Sequence, residues 1–241
     1  MRINKVFRIA LSAVLLLASI LFIGASDGTA KLMPDTNGNA QAAPNNTAAS
    51  GNTGSNRQKR EEPDKPLSDI LKEKGIDSLD SGTEIKVDKS EHILSIVYNG
   101  TTLKSYHVEL GDGGMEDKVM SGDHKTPEGT FYVTDKQSMD PPDYYLGSRW
   151  LGIGYPNVED ADRGLNQGLI DRQTHDEIVD AFSERATPPQ ETALGGDIGI
   201  HGGGTPEFGS DWTWGCIGLK NFDIEDFYDF ISVGTPVVIQ K

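Results

Sequence analysis

Ile198-Gly199-Ile200-His201-Gly202-Gly203-Gly204, followed after a short loop by Asp211-Trp212-Thr213-Trp214-Gly215-Cys216-Ile217-Gly218-Leu219, decides how this chain is read. An apolar run carries a histidine at its end, and a cysteine stands directly behind a glycine. A free thiol, with a pKa of about 8.5, is only a few per cent ionised at neutral pH, so a nucleophilic cysteine needs a base or cation beside it. His201 is the candidate base and Cys216 the candidate nucleophile. Gly215 lets backbone approach a substrate closely, and the amides of Gly215 and Cys216 are candidate donors to the oxyanion that forms when a carbonyl is attacked. The chemistry this predicts is acyl transfer. A His and a Cys 15 positions apart are weak grounds alone, because a core histidine and a buried thiol are the plainer reading of such a pair.

A second motif changes the weighting. Gly122-Asp-His-Lys-Thr-Pro-Glu-Gly129 precedes a strand-like run. Together with Thr213-Trp-Gly-Cys216 it resembles the L,D-transpeptidase catalytic domain family, the YkuD-type fold. That family shows a Gly-Asp-x-Lys/Arg-Thr-Pro-x-Gly loop, then a strand-end His-Gly, then Ser/Thr-x-Gly-Cys, and all three occur here in that order. The resemblance runs from about Glu84 to Ile239, and includes Val87-Asp88 and Gly234-Thr-Pro-Val237.

The resemblance implies a mainly β, sandwich-like catalytic domain with a few helices. In it Cys216 attacks the carbonyl of meso-diaminopimelate in a peptidoglycan tetrapeptide stem and releases the terminal D-alanine; an amine or water then resolves the acyl-enzyme. His201 takes the thiol proton, the Gly202 carbonyl orients its ring, and Asp211, Thr213 and Trp214 are expected to contact substrate. No metal or cofactor is implied. Two positions depart from the family pattern: Trp214 stands where His is frequent, and Gly218 where Arg or Asn is frequent. Both touch the expected cleft and leave acceptor and substrate open.

Three readings compete. A transpeptidase joins stems or attaches a protein to them; a hydrolase of the same fold, a carboxypeptidase or amidase, passes the acyl group to water; a wall-binding module keeps the fold without the chemistry. Retention of both His201 and Cys216 speaks against the third. A zinc site on these residues lacks the paired ligand spacing.

Arg2, Lys5 and Arg8 precede an uncharged, mostly apolar run from Ile9 to Ser26, the pattern of an export signal. Gly24, Ala25 and Ser26 fit a cleavage site, yet the run approaches the roughly 18 residues that span a bilayer, so residues 1–26 read equally as a signal peptide or a membrane anchor. Either way the chain is expected outside the cytoplasm, in the periplasm or cell wall. Removing residues 1–26 takes away three basic and no acidic residues, leaving 19 basic against 37 acidic, a formal charge of −18. Such a charge argues against nucleic acid as a partner and serves solubility. Residues 27–65 hold no aromatic residue, Ile or Val, and read as a flexible linker. Residues 66–83 read as a short helical lead-in, and 84–241 as the catalytic domain. A monomer is the expected state.

Within the domain, Leu67, Ile70 and Leu71 predict a short helix ending at Gly75. Glu84–Val87, Ile93–Tyr98, Leu103–Leu110, Thr130–Thr134 and Pro236–Ile239 predict strands, with a hairpin at Asn99-Gly100. Thr174 and Glu177 predict a capping box for a helix from His175 to Arg185, and Ile224, Phe227, Tyr228 and Ile231 predict another. The first of these lies in an insertion, 156–197, expected to form a wall or lid over the cleft. His92, His107 and His124 are expected in surface or structural roles. Tyr144, Tyr145, Trp150 and Tyr155 read as core or cleft lining.

Overall fold

The computed structural model describes residues 65–241. The segment at 1–26 and all but the last residue of the 27–65 linker lie outside the described residues. Eight strands and four helices follow: α1 Leu67–Lys74, β1 Thr83–Asp88, β2 Ile93–Tyr98, β3 Thr101–His107, β4 Gly129–Asp143, β5 Gly147–Ile153, α2 Val158–Asn166, α3 Arg172–Glu184, β6 Gly199–His201, β7 Ile217–Gly218, α4 Asn221–Tyr228 and β8 Pro236–Gln240. The strands form one sheet in the order β3-β2-β1-β8-β4-β5-β6-β7. β1/β8 and β6/β7 are parallel pairs and the others antiparallel.

The hairpin between β2 and β3 turns on Asn99 and Gly100, whose φ of 48° and 77° match the right-handed strand twist. β4 is long enough to serve two halves. Its first residues pair with β8, and after a register shift between Val133 and Asp135 the rest pairs with β5. Beyond β3 the chain closes the sheet: Glu109 bridges Gly218 of β7, with N–H···O bonds of 2.9 and 2.8 Å in both directions. This ends the expected strand 103–110 at His107 and spends its last residues on the opposite edge. Ile85, Ile96 and Val237 from one half and Leu151, Ile200 and Ile217 from the other meet in one core with Phe227 of α4 and Leu67 of α1. The fold is the mainly β, sandwich-like domain.

α1 ends on Gly75 in the left-handed conformation, as its sequence predicts. α3 begins a turn earlier than its sequence predicts. Asp171 is the cap and its side chain takes the Thr174 N–H at 2.8 Å, so Thr174 is inside the helix. α2 is a helix the sequence reading passed over. Its capping box is Asn157 with Asp160, a shorter acid in the place where Glu is the usual signal. α4 stops at Tyr228, leaving Ile231 in the core beyond it.

Candidate active site

The parallel register of β6 and β7 pairs Ile200 with Ile217 and His201 with Gly218. Side chains alternate along a strand, so when Ile200 and Ile217 face the core, His201 and Cys216 share the opposite face, two positions apart in register on neighbouring strands. Glycine at 218 keeps that face open beside His201: a Cβ there would lie 2.7 Å from Cζ2 of Trp212. Indole thus fills the space at the position where the sequence departs from its family pattern.

His201 is fully buried. Trp150 stacks on it (5.9 Å between centroids, 23° between planes), Trp212 meets it edge-on (5.5 Å) and Tyr145 leans over it (5.6 Å). Its Nδ1 lies 2.8 Å from the Gly202 carbonyl, which only accepts, so Nδ1 carries the hydrogen. The lone pair of the neutral ring is left on Nε2, which is buried and has no hydrogen-bond partner among the described residues. Burial pulls the imidazole down to about 4, against the opposing pull of the Gly202 carbonyl and Asp143. Burial likewise pushes the Cys216 thiol up to about 11, and its S–H points to the Asp197 carbonyl at 3.6 Å. The resting groups are a neutral thiol turned to the Asp197 carbonyl and a neutral base on the same face of the sheet. An attack by Cys216 must hand over its proton as the new bond forms.

Thr213, Gly215 and Cys216 make a tight turn. Thr213 is fully buried; its hydroxyl donates to the Cys216 carbonyl at 2.7 Å and accepts the Gly215 N–H at 3.2 Å. Thr126 of the Gly122–Gly129 loop supports the same carbonyl at 3.4 Å and takes the Gly111 N–H at 2.9 Å. Thr213, expected at the substrate, clamps the turn from within. The Gly215 amide, expected as an oxyanion donor, donates to the Thr213 hydroxyl inside that turn. The Cys216 N–H has no partner among the described residues. Asp211 too is structural. Its carboxylate holds His92 Nε2 and the Leu110 N–H, both at 3.0 Å, and its own N–H donates to Glu109 at 2.8 Å.

Cys216 opens onto a cleft of about 470 Å³, bordered by Lys118, His124, Tyr145, Trp150, Asp197 and Trp214 among others. Trp214 is 67% exposed, stacks on His124 at 5.6 Å and lines the cleft together with it. Of the insertion expected as a wall or lid, neither α2 nor α3 borders the cleft; Gly195–Asp197 at its end do, as wall, continued by Ile198. The two helices form a small core of their own with Ala161, Ile170, Ile178 and Leu194, and Leu194 delivers the chain to that wall. The Tyr155 hydroxyl fixes the Leu194 carbonyl at 2.9 Å.

The sequence model of the L,D-transpeptidase catalytic domain matches residues 82–239. This chain belongs to the L,D-transpeptidase catalytic domain family. Similar solved structures include the helical cell shape determining protein Pgp2 of Campylobacter jejuni (24% identity, covering 73% of this chain and 55% of that one, TM-score 0.44). Others are Bd1075 of Bdellovibrio bacteriovorus (23%, 66% and 48%, 0.45) and an L,D-transpeptidase of Xylanimonas cellulosilytica (17%, 73% and 70%, 0.40). This chain spans about half the length of the first two. A search among curated proteins finds no match.

Two buried lysines of this L,D-transpeptidase domain escaped the sequence reading. Lys89 is fully buried and donates to the Glu116 and Thr126 carbonyls and to Glu128, at 3.2, 2.9 and 2.9 Å, pinning the Gly122–Gly129 loop. Lys118 binds Asp123 at 2.8 Å and the Met120 carbonyl at 3.0 Å at the edge of the cleft. A lone Lys in Asp88-Lys-Ser at the end of β1, or in Asp117-Lys-Val in the connection between β3 and β4, carries no burial signal, since lysine is almost always exposed.

Proposed function

We propose that this domain is a peptidoglycan L,D-transpeptidase in which Cys216 is the nucleophile and His201 its base. The observation that supports this best is the bare, buried Nε2 of a histidine whose other nitrogen is locked to the Gly202 carbonyl, on the same face as a cysteine that lines a cleft. A buried polar nitrogen without a partner is costly unless it has work to do.

In the first half-reaction Sγ bonds to the diaminopimelate carbonyl carbon of the tetrapeptide stem while its proton passes to His201 Nε2. The tetrahedral intermediate places its oxyanion near the free Cys216 N–H. Collapse breaks the amide, and the departing D-alanine nitrogen takes the proton from His201, leaving a thioester. In the second, an acceptor amine attacks the thioester, gives its proton to His201, and the Cys216 sulfur leaves and is reprotonated. Residues 1–26 fit export, and we place the reaction in the periplasm or cell wall.

Product analysis tests the reading. Stem tetrapeptide incubated with the protein and an acceptor amine is expected to give a crosslinked or exchanged peptide by mass spectrometry, and Cys216→Ala to lower the rate on the order of 10³-fold or more. A Cys216-dependent tripeptide with no transfer product would assign the hydrolase instead.

A further inference from the structure

Charge around the cleft does not balance. Lys118, its buried cation, is neutralised by Asp123 at 2.8 Å, and His124 pairs with the Asp112 carboxylate at 2.8 Å. Asp197 lines the same cleft, and its carboxylate makes no hydrogen bond or ion pair with any described residue. We propose that the Asp197 carboxylate binds a primary ammonium of the substrates and so selects amine-bearing partners for Cys216. This rests on the transpeptidase reading, in which the diaminopimelate of the stem carries such an ammonium and the acceptor carries another.

The backbone fixes where Asp197 stands. Its carbonyl lies 3.6 Å from Cys216 Sγ, so the residue touches the nucleophile itself. Its N–H donates to Gln190 Oε1 at 2.7 Å, and the Gln190 amide donates in turn to the Tyr155 and Pro188 carbonyls at 3.0 and 2.7 Å. Asp197 has a φ of 53°, in the left-handed region, and the preceding glycines let the wall take that course. Gly195 has a φ of 94°, and a Cβ on Gly196 would lie 2.1 Å from the Gln190 carbonyl oxygen. With its carbonyl facing the thiol and its N–H on Gln190, the residue has its carboxylate left for a ligand.

Burial chiefly holds the Cys216 thiol up, and the Asp197 charge adds to it, which places the carboxylate within electrostatic reach of the sulfur. A primary aliphatic amine is protonated at neutral pH, as lysine is, and offers three N–H donors to the carboxylate oxygens. Tyr145, Trp150 and Trp214 border the same cleft, so an ammonium bound there meets less water than on an open surface and pairs more strongly. Asp197 holds this cation and transfers no proton. An acceptor ammonium loses one proton to water before it attacks the thioester, and the next passes to His201 as the new bond forms.

Charged thiol reagents read the field at Cys216 without any peptide. 2-Ammonioethyl and 2-sulfonatoethyl methanethiosulfonate each form a disulfide with Sγ and release methanesulfinate, and they differ in the charge they bring. Asp197→Asn removes the carboxylate charge at nearly constant size, and asparagine accepts the left-handed conformation. In the full chain the ratio of cationic to anionic reagent rates is expected to fall about tenfold in Asp197→Asn. An unchanged ratio overturns the proposal. With stem tetrapeptide and an acceptor amine, the variant is expected to raise one KM about tenfold while kcat stays within about twofold. The donor KM rises if the diaminopimelate ammonium is the ligand, and the acceptor KM if the incoming amine is. Acetylating the diaminopimelate side-chain amine raises the wild-type donor KM in the first case only. A shift in neither KM also overturns the proposal. A wild-type protein that turns over no stem peptide would overturn the transpeptidase reading and leave the reagent ratio to decide the role of Asp197.

Discussion

His201 and Cys216 are held neutral by burial, and this has a kinetic signature at the level of the residues themselves. A thiol pushed up to about 11 reacts slowly with iodoacetamide at pH 7, and the rate is predicted to climb through pH 9 and beyond. A preformed thiolate–imidazolium pair would instead react fast and evenly from pH 5 upward. Stability follows the histidine with a definite sign. Its folded-state value, about 4, lies below the unfolded value near 6.5, so the unfolded chain binds the proton more readily. The contribution is fully present above pH 6.5 and is lost as pH falls towards 4, on the order of 3 kcal/mol. Denaturant unfolding at pH 7 and pH 4.5 is expected to show a smaller acid loss in His201→Gln than in the wild type. Cys216, His201 and the Gly202 carbonyl were legible because residue type and order name them. The intramolecular bonds of Thr213 and Asp211 were not legible, because adjacency to a nucleophile in sequence does not tell which way a side chain turns. Lys118 and His124 reach the cleft from the connection between β3 and β4, where nothing in their sequence neighbourhood places them against Cys216.

Among the elements, the turn between Thr213 and Cys216 and the wall Gly195–Ile198 shape what the pair can do. Thr213→Val removes a donor to the Cys216 carbonyl and the acceptor of the Gly215 N–H inside a buried turn. It is predicted to cost about 1–3 kcal/mol in chemical denaturation and to lower kcat. Ile178→Ala opens a cavity in the small α2–α3 core that positions Leu194, at a cost of about 2–5 kcal/mol. If that core braces the cleft wall, KM for stem peptide rises while iodoacetamide still reaches Cys216 at the wild-type rate; an unchanged KM would show that the wall stands without it. Strands with alternating burial and the Asn99-Gly100 hairpin were readable from periodicity and turn chemistry. β6 was legible as the apolar run that ends in His201, whereas β7 was not readable as a strand, being two residues long and half glycine, and α2 hid behind an aspartate in place of the usual glutamate in its capping box.

For the whole domain, sheet closure is what converts three separate motifs into one site. The Glu109–Gly218 bridge joins the segment after β3 to β7, and Lys89, just past β1, ties the Gly122–Gly129 loop beneath the Cys216 turn. Periodicity gave the strands their identity but not their order, because β8 from the far end of the chain inserts between β1 and β4. Lys89→Met tests that coupling: it leaves the Thr126 and Glu116 carbonyls and Glu128 without their shared donor, and a loss of several kcal/mol in thermal or denaturant unfolding is predicted. The central claim, that this domain forms an acyl-enzyme on Cys216, is tested most directly by intact-protein mass spectrometry during turnover of a stem tetrapeptide. The account predicts an adduct of the tetrapeptide less its terminal alanine, confined by peptide mapping to Cys216 and missing in Cys216→Ala. Turnover of the tetrapeptide by the Cys216→Ala protein, or an adduct mapped to another residue, would contradict it.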